Sequence, residues 1–315
     1  MRDLCILFMG TPEFAVTILN KILESGSNVV GVVTAPDRPA GRGRKLQQSA
    51  VKEFAISRNL KVLQPTNLKS IEFINDLETL NPNVQVVVAF RMLPEIVWKF
   101  PEFGTFNLHA SYLPHYRGAA PINWAIMNGE KTTGVSTFFI DDKIDTGEMI
   151  LRKEIGIEDD ENVGSLHDKL MNEGAQLVID TLELIQTRKV STSKQETGEN
   201  FRDAPKLTRE NTRISWNKPV EEIYNLIRGL DPYPAAWCNL KNGEEHLTVQ
   251  IFDVAHSNES HEFPPGKVLA ENKKLRVAAR DGFIEIKEIK LQGKRKMKII
   301  DLLNGYKFEN DAKLL

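Results

Sequence analysis

Cysteine is nearly missing from this chain: Cys5 and Cys238 are the only two in 315 residues. Two thiols so far apart exclude a disulfide scaffold and a cysteine-ligated metal site. Long apolar runs are missing as well. The first, at 4–9, is too short to span a membrane and lacks a cleavage site, so it reads as a strand and not a signal peptide. There is no excess of one charge: 41 Lys and Arg against 43 Asp and Glu leave a formal net charge of -2. That argues against a chain coated with nucleic-acid-binding surface and leaves room for a local basic strip. Neither G-x-G-x-x-G nor a Walker lysine follows the first strand, so Gly10-Thr11-Pro12 does not read as a nucleotide-phosphate turn. The expectation is a cytoplasmic enzyme of one large or two smaller domains.

What is there is an alternation of strands and helices. Strand patterns fall at 4–9, 29–33, 61–63, 84–89, 104–109, 134–140 and 148–157. Helical spacing falls at 13–23, 49–58, 71–80, 93–99, 120–128 and 163–186. Thr11 is placed to cap the first helix. This alternation predicts an α/β, doubly wound, mostly parallel sheet. Residues 34–48 read as a long loop. Residues 188–206 are polar and aperiodic and read as a linker. Beyond them come a helix at 220–228 and short strands at 247–254, 266–270, 274–279 and 282–291, a pattern that suits a small OB-like β-barrel. The expected division is 1–187, a linker at 188–206, and 207–315.

Chemistry concentrates at strand ends, where open α/β sheets hold their ligands. Asn107 and His109 end one strand at positions i and i+2, so they project from one face. Asp145 follows a later strand, in Asp141-Asp142-Lys143-Ile144-Asp145-Thr146-Gly147. An amide donor, a proton-accepting ring and a carboxylate suit acyl transfer. Asp141 and Asp142 also read as solvated loop carboxylates, and His109 alone would read as a core histidine. Zinc on His109, His115 and Asp145 fits no established spacing, so no metal is expected. Phe90-Arg91-Met92-Leu93-Pro94, at another strand end, would suit a flat heterocycle or simple strand-to-helix packing. Arg38, Arg42, Arg44 and Lys45 crowd among Gly and Pro, either as a solvated loop or as a segment that orders on RNA. With Lys287, Lys290, Lys294, Arg295, Lys296 and Lys298 they suggest one phosphate-tracking strip.

These residues carry a resemblance. The chain is similar, over essentially its full length, to the methionyl-tRNA formyltransferase family. The similarity rests on Phe8-Met9-Gly10-Thr11-Pro12-Glu13-Phe14-Ala15, residues 36–46, Asn107-Leu108-His109-Ala110-Ser111, residues 113–122 and Asp145-Thr146-Gly147. The Asn-x-His and later Asp-x-Gly are shared with the wider formyltetrahydrofolate-dependent family, including small-molecule formyltransferases and formyltetrahydrofolate hydrolases. The resemblance implies formyl transfer from 10-formyltetrahydrofolate to methionyl initiator tRNA, with Asn107, His109 and Asp145 catalytic. It implies folate contacts at Phe90, Arg91, Met92, Leu93, Ser111, Tyr112, Leu113, Pro114, Asp141 and Asp142. It implies tRNA contacts at Arg38, Arg42, Arg44, Lys45, Lys206, Arg209, Lys294, Arg295 and Lys296. Phe90-Arg91-Met92 departs from the commoner Tyr-Gly of the family, leaving Arg91 to reach the folate or solvent. A monomer without membrane contact is expected. The rival readings are a small-molecule formyltransferase or hydrolase, and a non-catalytic RNA-binding protein.

Overall fold

The structure, a computed structural model, describes residues 2–40, 45–196, 198 and 200–315. Contacts divide the chain into two compact units, each discontinuous in sequence. The first comprises Met1–Gly118, Thr133–Ile155 and His167–Asp203; the second comprises Ala119–Thr132, Gly156–Leu166 and Ala204–Leu315.

In the first unit seven strands form one sheet, in the order Met149–Gly156, Thr132–Phe139, Thr105–His109, Val84–Val88, Cys5–Gly10, Asn28–Val33, Val62–Leu63. The pairs around Cys5–Gly10 are parallel, whereas Thr105–His109 runs antiparallel to Thr132–Phe139. The continuous apolar runs are here because both faces of the sheet are covered: Ile6, Leu7, Phe8 and Met9 are fully buried. Helices Ala50–Ser57 and Ile71–Leu80 begin where Ser49 and Ser70 accept from the backbone N–H three residues on. Helix Glu13–Glu24 differs from expectation. Pro12 takes the cap position and no side chain caps it, so Thr11 has no such role.

Two stretches expected to lack structure have some. Within 34–48, Arg38–Ala40 pairs antiparallel with Lys45–Gln47. Its entry is anchored by Asp37, which accepts from Lys52 Nζ at 2.6 Å and Gln64 Nε2 at 2.8 Å. Those bonds, Lys52 first, hold the Asp37 carboxyl below the usual carboxylate range. Within 188–206, Ser193 exchanges backbone hydrogen bonds with Met149 at 2.8 and 3.0 Å. Neither stretch carries an apolar period, because each is held by isolated pairings and not by a buried face.

The second unit has a five-stranded and a four-stranded antiparallel sheet around one apolar cluster, and no closed barrel is found among the described residues. The strand expected at 282–291 is two strands, Phe283–Ile286 and Glu288–Leu291, one in each sheet. At the break, the N–H groups of Lys287 and Glu288 both donate to the Asp253 carbonyl, at 2.9 and 3.1 Å. Asp253 itself lies in the break between Glu245–Ile251 and Val254–Ser257, so a paired ribbon bends from one sheet into the other. Helix Pro121–Met127 belongs to this unit and packs beside Val220–Arg228, with Asn123 Nδ2 donating to Gly229 O at 2.8 Å. The strand Ala236–Asn242 was not anticipated, although Ala236, Cys238 and Leu240 alternate with more exposed neighbours. No described helix is long and apolar enough to cross a membrane.

Candidate active site

The strand Thr105–His109 presents alternate residues to opposite faces. Leu108 packs against helix Val163–Gln186, where a Cβ on Gly174 would stand 2.9 Å from Leu108 Cδ2. Asn107 and His109 take the other face. His109 is buried, and Asn107 is half-buried with no side-chain hydrogen bond among the described residues.

The ring of His109 is oriented by the loop that follows it. Nε2 lies 2.8 Å from the carbonyl oxygen of Tyr116. A carbonyl can only accept, so Nε2 carries the hydrogen and, in the neutral ring, Nδ1 holds the free lone pair. Tyr116 aims its carbonyl with a left-handed backbone, φ 62°, and its N–H donates to Arg202 O at 2.5 Å. Nδ1 stands 3.8 Å from Asp145 Oδ2. That is longer than a hydrogen bond and close enough for attraction once Nδ1 takes a proton.

Asp145 is also backbone-constrained. It sits at φ 55°, and Oδ2 accepts from Gly118 N at 2.9 Å. Its carbonyl accepts from Arg117 Nε and Gln195 Nε2, each at 3.0 Å. The loop closes at Gly147, where a Cβ would stand 1.6 Å from the Phe139 carbonyl oxygen. Only glycine permits that approach. Arg117, in the loop that follows the strand of His109, braces the backbone of Asp145. Gln195 was hidden inside the apparent linker, and no local pattern marks it. A carboxamide, an imidazole with one nitrogen committed, and a carboxylate held nearby can stabilise an oxyanion and accept a proton.

The residues proposed for folate divide into two groups. Arg91, Met92, Leu93 and Asp142 line an open cleft of about 660 Å³ with Thr66, Lys69 and Trp98. Phe90 and Arg91 line a second cleft of about 330 Å³ with Thr11, Arg38 and Ser49. The Arg91 side chain is exposed and lines both clefts. It donates to the carbonyls of Pro65 and Thr66 and so ties two loops together. Ser111, Leu113 and Pro114 are buried, and Ser111 Oγ is committed to His115 O at 2.6 Å. Tyr112 lies under the Arg152 guanidinium, at 4.5 Å. Asp141 accepts from Thr146 Oγ1 at 2.9 Å, within its own loop. His115 packs on the ring of Phe201. No group of three His, Cys, Asp or Glu side chains suited to a metal ion occurs among the described residues.

Of the residues proposed for tRNA, Arg38, Lys206, Arg209, Lys294, Arg295 and Lys296 are exposed. Arg209 lies 4.2 Å over the Trp237 ring, and both line a cleft of about 330 Å³ with Lys290. Lys296 is paired with Glu288 at 2.5 Å. Arg42 and Arg44 lie outside the described residues, as does the side chain of Lys45.

Comparison with known proteins narrows the class. A formyl transferase family model matches residues 2–182, and a formyl transferase C-terminal domain model matches residues 206–307. The methionyl-tRNA formyltransferase of Flavobacterium johnsoniae is 55% identical over 314 residues, 100% of both chains. That of Bacteroides fragilis is 50% identical, covering 97% of this chain and 96% of its own. The chain belongs to the methionyl-tRNA formyltransferase family. Among solved structures, HypX from Aquifex aeolicus in complex with tetrahydrofolic acid aligns with TM-score 0.66 at 18% identity, covering 98% of this chain. This chain spans only about half of that one (49%). The sugar 3N-formyl transferase WlaRD aligns with TM-score 0.65 at 20% identity, covering 94% of this chain and 100% of its own. Both share the fold.

Proposed function

We infer that this chain moves the formyl group of 10-formyltetrahydrofolate onto the α-amine of methionyl initiator tRNA through Asn107, His109 and Asp145. The observation that carries the site assignment is that the strand face bearing Asn107 and His109 meets the distant loop of Asp145, with His109 Nδ1 3.8 Å from Asp145 Oδ2. The amine nitrogen attacks the formyl carbon and a tetrahedral oxyanion forms. The Asn107 amide, without a side-chain partner among the described residues, donates to that oxygen. The amine proton passes to His109 Nδ1, the nitrogen left bare by Tyr116. Asp145 stabilises the imidazolium. Collapse breaks the bond from the formyl carbon to the folate nitrogen, which takes the proton back. No step calls on a metal.

The cleft beside Arg91, Met92 and Leu93 has the apolar walls a flat donor ring requires, with Trp98 and Leu93 supplying them. Ser111, Tyr112, Leu113 and Pro114 shape the floor beside His109, and Asp141 and Asp142 belong to its rim. In the same reading, residues 1–187 hold the chemistry and 207–315 form an OB-like module for the tRNA, with 188–206 joining them. Arg38, Arg42, Arg44 and Lys45 approach the acceptor end, while Lys206, Arg209, Lys294, Arg295 and Lys296 meet phosphates. The protein works as a cytoplasmic monomer.

The test is formyl transfer from 10-formyltetrahydrofolate with and without methionyl initiator tRNA. Formylmethionyl-tRNA should form, and donor should persist when the tRNA is withheld. Donor hydrolysis at the same rate without tRNA would favour a hydrolase, and no turnover a binding protein.

A further inference from the structure

Gln195 lies in a polar stretch with no secondary-structure signal, yet its carboxamide is fully used. Its Nε2 donates to the carbonyls of Asp145, at 3.0 Å, and Gly147, at 2.9 Å. Its Oε1 accepts from Arg117 Nε at 3.1 Å and Nη2 at 2.6 Å. Two donors and two lone pairs are the whole capacity of an amide. All four go to residues that hold or flank Asp145. The segment is pinned beside them: Ser193 pairs with Met149, and Thr192 Oγ1 donates to Glu148 Oε2. Asp145 needs such a brace, because a non-glycine residue at φ 55° persists only where its surroundings over-determine it.

We propose that Gln195, acting with Arg117, is a positioning residue: it fixes the backbone of Asp145 and thereby the placement of its carboxylate against His109 Nδ1. The proposal rests on the catalytic reading of Asp145. It assigns Gln195 no contact with either substrate. A misplaced carboxylate weakens stabilisation in the transition state and leaves ground-state binding alone, so the effect belongs in kcat and not in KM.

The experiment compares Gln195→Met, Gln195→Glu, Arg117→Lys, Asp145→Asn and Lys194→Ala in steady-state formylation, with circular dichroism as the check on folding. Gln195→Met keeps the length and loses every hydrogen bond. Gln195→Glu keeps the acceptors for Arg117 and sets oxygen against two carbonyls. Both should lower kcat tenfold or more while KM for tRNA and donor changes by less than about twofold. Arg117→Lys should show the same split, and serves should the Gln195 variants not fold. Lys194→Ala, an exposed neighbour, should match the parent. Parent-like kcat in folded Gln195→Met or Gln195→Glu, with Asp145→Asn inactive, would overturn the positioning role alone. So would a loss confined to KM. Full turnover by Asp145→Asn would instead overturn the catalytic reading beneath it.

Discussion

His109 and Asp145 face each other across 3.8 Å, Nδ1 to Oδ2, while the other nitrogen of the ring is held 2.8 Å from the Tyr116 carbonyl. The ring thus offers its bare nitrogen on the side where the carboxylate waits. Asn107 stands two residues back on the same strand face. The arrangement couples a strand end, a loop near residue 116 and a loop near residue 145 into one small device.

Gly147→Ala tests how tightly the Asp145 loop is folded. The added methyl would collide with a backbone carbonyl, which cannot rotate aside as a side chain could. A loss of about 1–3 kcal/mol in chemical denaturation is expected. Turnover should fall as well, because the loop must shift to make room.

Asp231 gives a pH signature in the second unit. Burial raises its carboxyl above the ordinary range, and among the described residues only one oxygen is partnered, by Asn162 Nδ2 at 2.7 Å. A raised carboxyl means the folded state holds its proton longer than the unfolded chain. Stability therefore declines as pH rises from the unfolded value, about 3.9, through the folded value, and stays lower above it. Asp231→Asn should match the parent near pH 4 and become the more stable of the two toward pH 7. Urea denaturation at both values checks this.

The basic residues of the second unit should differ in weight. Arg209 is exposed over the Trp237 ring at the edge of a cleft, whereas Lys296 already holds Glu288. Arg209→Ala should raise KM for tRNA several-fold and reduce the salt slope of binding by about 1. Lys296→Ala should change KM less than Arg209→Ala does. Donor KM should stay constant in both.

The sequence made the strand ends legible because burial on both sheet faces writes continuous apolar runs, and polar Asn107 and His109 interrupt one of them. Helix Val163–Gln186 was readable to the residue, since a long amphipathic stripe leaves a clear period. Gln195 was not readable, because one amide reaching back about fifty residues (|i−j| 50 to Asp145) leaves no trace in its own neighbourhood. Nor was the membership of Pro121–Met127 in the second unit, which depends on packing with a helix about a hundred positions away, as in the Asn123 to Gly229 bond (|i−j| 106). The break at Lys287 leaves only a small mark in the sequence: two consecutive polar residues, Lys287 and Glu288, shift the apolar alternation from Ile284 and Ile286 to Ile289 and Leu291.

Asn107→Ala removes a donor with no structural duty among the described residues, so it should fold normally. Transition-state stabilisation worth about 100- to 1,000-fold in rate should disappear.

The most direct measurement is the single-turnover rate of formyl transfer by His109→Ala, with donor and methionyl-tRNA saturating and folding verified by circular dichroism. The account predicts a loss of about 100-fold or more, as for removal of a general base. A folded variant transferring formyl within a few-fold of the parent rate would contradict it.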